Sequence, residues 1–151
     1  MKSDLIFGDT HHFMNTIKAT DAFYLLTTYH SFFSFLIILP FLYNLYCFYF
    51  EKNYAKLIKK IWLSTVVIFL FLSISFFLGI SAWAMLKFAF QWKIILMLIL
   101  WLTILIFEIK RNQSAKFAIT SEDRIKKYIK YCKYLYCFDI VLFLIVVKII
   151  L

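Results

Sequence analysis

The chain has 151 residues, of which 64 % are hydrophobic and 17 % charged, with a formal net charge of +9. A soluble domain averages roughly 45–50 % apolar and 25 % charged residues, and a short chain needs much of its surface polar. The composition excludes a water-soluble globular domain and a disordered chain, and it points to an integral membrane protein folded as one compact unit.

Two glycines and one proline leave few residues for turns, where both concentrate. That favours helices over a membrane barrel, whose strands need many turns. The expected fold is all-α, a polytopic bundle of four transmembrane helices.

Residues 1–21 form an outer N-terminal segment, slightly acidic because Asp4, Asp9 and Asp21 outnumber Lys2 and Lys18. The first apolar stretch covers about 22–50, too long for a signal peptide and preceded by acids rather than bases. The second covers about 61–85 and is bracketed by Trp62 and Trp83, rings that favour the membrane interface. The third covers about 88–107, with Trp92 near its start, and the fourth about 134–151. Since about 20 helical residues cross the hydrocarbon core, each stretch is long enough, the fourth only just.

Charge sets the orientation. Residues 51–60 and 108–133 together hold 12 of the 17 lysines and arginines, which the positive-inside rule places in the cytoplasm. Both termini and the short second loop then face outside. Topology accounts for the basic residues, so nucleic acid is not an expected partner; the lipid bilayer is. Within the last loop, Thr120-Ser121-Glu122-Asp123 has the hydroxyl and acids of a helix start. The lysine–tyrosine run from Arg124 to Cys137 then climbs into the fourth span, with Tyr128, Tyr131 and Tyr134 expected at the interface.

Polar groups inside a membrane need a partner or a task. Thr27, His30, Ser34, Phe41 and Asn44 share one helical face, as do Lys93, Met97, Trp101 and Glu108. Ser75, Gly79 and Ala82 form a small-residue stripe suited to close helix packing. Asn44, Glu108 and Asp139 fall at similar depth in the inner leaflet and can form one polar cluster, read as structural glue. His30 is the only histidine within a span. It suits an axial ligand to heme or another metal, a proton acceptor, or an interhelical hydrogen bond. Lys93 enters from the same side and can share its pocket, and Met97 is the candidate opposite axial ligand. His11, His12 and Met14 on the outer segment, near Asp9, carry the imidazole and soft donors that suit copper. Cys47, Cys132 and Cys137 map to the reducing side and lack a metal or redox spacing.

Three segments resemble the four-helix membrane superfamily of CopD-type copper-resistance domains and HemJ-type protoporphyrinogen oxidases. They are Tyr24 to His30, Lys56 through Gly79, and Gln91-Trp92-Lys93 followed by an apolar helix ending in Glu108-Ile109-Lys110-Arg111. Val146-Val147-Lys148 resembles the end of HemJ-like chains. The resemblance implies a heme- or porphyrin-associated oxidoreductase in the bacterial inner membrane, with His30 and Lys93 at the positions important in the HemJ branch. It also shows departures: Gln91 stands where such chains have a histidine, and Phe41 follows Pro40 in place of an arginine. Three readings stay open: a heme- or porphyrin-binding oxidoreductase, a copper-handling protein, and a non-catalytic subunit packed on other membrane chains or on copies of itself.

Overall fold

The computed structural model describes the backbone of residues 3–150 and the side chains of residues 18–150. Five helices follow in order: α1 (Ser3–Leu36), α2 (Ile38–Phe50), α3 (Tyr54–Met85), α4 (Trp92–Ala118) and α5 (Glu122–Ile150). Among the described residues there is no strand.

The first two helices are one apolar segment broken at Ile37. Pro40 lacks an N–H, and its ring crowds the carbonyl four residues earlier, that of Leu36. The chain tightens there, with the Ile37 N–H donating to the Ser34 carbonyl at 3.3 Å. Asn53 then starts α3: its Oδ1 accepts from the backbone N–H groups of Ala55 (3.1 Å) and Lys56 (3.2 Å), satisfying donors that the first turn leaves open. Ser121 caps α5 as its position before Glu122 and Asp123 suggests, its Oγ accepting from the Arg124 N–H at 3.4 Å.

The turn between α3 and α4 is built without glycine. Lys87 and Phe88 hold left-handed conformations, with φ of 52° and 54°. The Lys87 N–H bonds to the Ala84 carbonyl and the Phe88 N–H to the Trp83 carbonyl, the pattern of a helix-closing Schellman turn. Its usual apolar contact is present too, as Phe88 meets Trp83 edge to face at 5.3 Å. The Trp83 indole N–H also donates to the Ala89 carbonyl at 3.0 Å.

Helices α2, α3, α4 and α5 close a ring of pairwise contacts, α2 on α3, α3 on α4, α4 on α5 and α5 on α2, while α1 lies chiefly on α3. The core comprises Phe41, Leu57, Ile68, Leu72, Ile104 and Tyr136 among others. Outward faces carry large apolar side chains such as Phe32, Leu63, Leu70 and Phe77. A soluble monomer does not tolerate so continuous an apolar exterior; it is compatible with a lipid environment.

Among the described residues, three segments are long and apolar enough to cross a membrane: Lys18–Phe50, Tyr54–Met85 and Trp92–Ala118. Helix α4 runs eleven residues past Phe107, the end expected for the third span. α5 does not reach the same apolarity over its described length, because Lys133, Asp139 and Lys148 lie along it.

Candidate functional site

One half of the helix assembly, around Arg111, encloses an ionic cluster supplied by four helices. On α4, Glu108 and Arg111 stand one turn apart. Arg111 donates to Glu108 Oε2 from Nε at 3.0 Å and from Nη2 at 2.8 Å, with side chains 1 % and 0 % exposed. From α3, Thr65 accepts a further Arg111 Nη2 hydrogen bond while its own hydroxyl donates to the Ile61 carbonyl at 2.7 Å. From α5, the Tyr128 hydroxyl accepts from Arg111 Nη1 at 3.3 Å, and the Tyr136 ring lies 5.7 Å from the guanidinium carbon, close enough for a cation–π contact. From α2, Asn44 Nδ2 donates to the Tyr136 hydroxyl at 2.8 Å.

Asp139 stands one turn beyond Tyr136, fully buried and near enough to Glu108 to feel its charge. Four oxygens of this cluster have no hydrogen-bond partner among the described residues: Asn44 Oδ1, Glu108 Oε1 and both carboxyl oxygens of Asp139. A buried polar atom left so is costly, so the cluster holds binding capacity its own side chains do not consume.

Asn44, Glu108 and Asp139 therefore fall in one cluster, as their depth suggests. Arg111, Thr65, Tyr128 and Tyr136 complete it and were not anticipated. Tyr128 also departs from its expected interfacial position: it is 8 % exposed, whereas Tyr134 and Tyr131 are open. The helical period explains this, since Tyr128, Cys132, Leu135, Tyr136, Asp139, Phe143 and Val146 form the buried stripe of α5. Above Tyr128, a shallow groove of about 350 Å³ opens at the α4–α5 end, lined by Arg124, Lys127 and Tyr131 among others.

The other half is organised around His30. Its Nδ1 lies 2.9 Å from the Ser75 carbonyl oxygen. A carbonyl only accepts, so Nδ1 carries the proton and Nε2 presents its lone pair. One turn on, Ser34 and Ser75 share a hydroxyl–hydroxyl hydrogen bond of 2.6 Å. Gly79 makes room for the imidazole: a Cβ there would stand 3.0 Å from His30 Cε1 and 3.3 Å from Nδ1. The small-residue stripe thus packs α1 onto α3, as its composition suggests.

Neither Lys93 nor Met97 joins His30, whose ring bonds the Ser75 carbonyl. Lys93 is exposed in the first turn of α4 and donates from Nζ to the Ile150 carbonyl at 2.7 Å, a cation closing the negative end of α5. Met97 is half-buried. Trp101, on the same face, donates to the Leu72 carbonyl at 3.0 Å and stacks on Phe76 at 4.4 Å. The side chains of His11, His12 and Met14 lie outside the described residues. Among those described, no group of three or more His, Cys, Asp and Glu side chains is placed to hold a metal ion, and Cys47, Cys132 and Cys137 are free thiols.

Among the described residues, fold and site together define an all-helical protein with three helical segments long and apolar enough to cross a membrane and two separate polar centres. No protein-family model, curated protein or solved structure matches the chain.

Proposed function

We propose that the chain is a four-span protein of the bacterial inner membrane, both termini outside, in which His30 offers one imidazole ligand to a heme or porphyrin serving an oxidoreductase. The observation carrying this reading is the Nδ1 hydrogen bond to the Ser75 carbonyl. A ligating histidine commonly donates its other ring N–H to a carbonyl or carboxylate, which fixes tautomer and ring orientation. Nε2 has no hydrogen-bond partner among the described residues, so it is the atom left to ligate. The fit extends to a single axial ligand only, since His30 is the one histidine whose side chain is described. When bound, a heme would supply one-electron chemistry. This chain's own contribution is to hold the imidazole in one tautomer and fix its height with Gly79. Lys93 contributes a cation at the same end of the bundle, where α4 starts beside the end of α3. The fourth span is α5: its 29 residues reach roughly 43 Å at about 1.5 Å per residue, and Asp139 turns inward rather than to lipid.

The test is a visible spectrum of the purified chain in mild detergent, with and without added hemin. A Soret band that shifts on binding and is lost in His30→Ala but kept in Met97→Leu is expected; no band in the loaded wild type overturns the reading.

A second reading, a non-catalytic subunit of a larger membrane assembly, is favoured by one observation. His30, Ser34, Ser75 and Gly79 already form a complete α1–α3 contact, which gives the histidine a structural task. Gentle solubilisation followed by pull-down separates the two: a stoichiometric co-purifying chain without a Soret band supports the subunit, and a cofactor-free monomer opposes it.

A further inference from the structure

The geometry points to a binding site for a small monovalent cation of the sodium class, formed in the inner half of the bundle by Asp139, Glu108 and Asn44. This site is independent of His30 and of any heme.

Donor chemistry comes first. The cluster leaves four buried oxygens without partners: two from Asp139, one from Glu108 and one from Asn44. All three residues are 0 % exposed. Oxygen-only sets of carboxylates and amide carbonyls select hard cations and give no advantage to soft or imidazole-seeking metals. Cys47 and Cys132 are buried free thiols, and the unpartnered donors of the cluster are all oxygens.

Charge then selects valence. With Glu108 and Asp139 ionised, Arg111 offsets one of the two carboxylates, so the buried set carries one net negative charge. Burying an uncompensated charge is strongly unfavourable. A single monovalent cation neutralises the set; a divalent ion would reverse the imbalance.

The surroundings hold these donors in place. Arg111 occupies Glu108 Oε2 through two hydrogen bonds, which leaves Oε1 as the free oxygen. Asn44 is fixed by donating Nδ2 to the Tyr136 hydroxyl, which directs its Oδ1 away from that bond. The groups tied to this centre by hydrogen bonds or charge are Asn44 from α2, Thr65 from α3, Glu108 and Arg111 from α4, and Tyr128, Cys132, Tyr136 and Asp139 from α5. Among them Arg111 alone is a fixed cation, and it is already committed to Glu108, Thr65 and Tyr128.

The experiment uses the full chain in detergent or nanodiscs. Thermal unfolding is followed by tryptophan fluorescence while sodium chloride replaces choline chloride at constant ionic strength and pH. Equilibrium binding of radioactive sodium is measured in parallel, with lithium and potassium as competitors. Sodium is expected to raise the melting temperature in a saturable manner, because a ligand that binds only the folded state stabilises it, and to bind at about one ion per chain. In Asp139→Asn, which keeps the shape and loses one anionic ligand, half-saturation is expected to shift by about tenfold or more. Ser34→Ala, on the outer half, should leave the sodium response unchanged. If Asp139→Asn does not fold, the binding stoichiometry of the wild type decides alone. Stability that follows pH and ignores sodium would assign the cluster to a proton and overturn the proposal, as would a wild type that binds no sodium.

Discussion

Removing the Glu108–Arg111 pair one residue at a time, then together, tests how the buried cluster is held. Both side chains are essentially inaccessible and joined by two hydrogen bonds to one oxygen. In Glu108→Leu the guanidinium keeps Thr65 and Tyr128 but loses its counter-charge. In Arg111→Met the buried Glu108 carboxyl loses both hydrogen bonds and its counter-charge. Breaking a buried ion pair costs about 3–5 kcal/mol because the survivor is left uncompensated, so each single variant should lose about that much. The double variant removes both charges and fills the space with apolar atoms. Its residual cost is the Tyr128 hydroxyl, which loses the Arg111 donor at about 1 kcal/mol; Thr65 keeps its bond to the Ile61 carbonyl. The double variant should therefore lie within about 2 kcal/mol of the wild type. The assay is reversible unfolding in mixed micelles with rising sodium dodecyl sulfate, read by helical circular dichroism. If the double variant is as unstable as the two singles added, the pair is not an isolated charge unit and the reasoning fails.

Other outcomes follow from the turns and helix contacts. Lys87→Gly should stabilise the chain by about 1 kcal/mol, since a left-handed lysine carries a strain that glycine lacks; an unchanged or lower stability in the same titration would remove that strain. Gly79→Val should cost about 1–3 kcal/mol through overpacking against the imbidazole ring of His30, and a near-neutral result would mean α1 is free to move away from α3. Lys60 donates to Glu51 at 2.6 Å and holds that carboxyl below its ordinary range. A depressed carboxyl contributes stability above its unfolded pKa of about 4.3, and the contribution is lost as pH falls through the lower folded value. Lys60→Gln should therefore flatten the melting-temperature profile on the acid side of about pH 5, and an identical profile would contradict the pairing. Alkaline phosphatase fused after residue 151 should be active and a fusion within residues 112–117 inactive; the reverse pattern would invert the proposed orientation.

Much of this architecture is legible in the chain because helical period and apolarity act locally. The α5 start follows from the Ser121 hydroxyl and the acids after it, and the Asn44, Glu108 and Asp139 grouping follows from depth alone. Arg111 was hidden because an apolar run ending at Phe107 makes Lys110-Arg111 look like ordinary cytoplasmic loop charge. The helix instead continues to Ala118, and Glu108 and Arg111, three apart, both turn inward. That i,i+3 spacing of opposite charges was the available signal. Tyr128 and Tyr136 were obscured by the lysine–tyrosine alternation, which suggests an interface belt until the buried stripe of α5 is followed through Cys132 and Asp139. The contacts made by Lys93 depend on where α5 ends in space, which no local pattern encodes.

The break at Ile37 has a consequence for how one span serves two neighbours. On an unbroken helix His30 and Asn44 point the same way, fourteen residues apart. In the folded chain His30 reaches α3 and Asn44 reaches Tyr136 on α5. The proline joint works like an elbow: the upper arm is clasped by one helix while the forearm is handed to another. The imidazole and the oxygen cluster thus hang on separate levers of a single strand of chain, and the joint at Ile37 and Pro40 is where the two part.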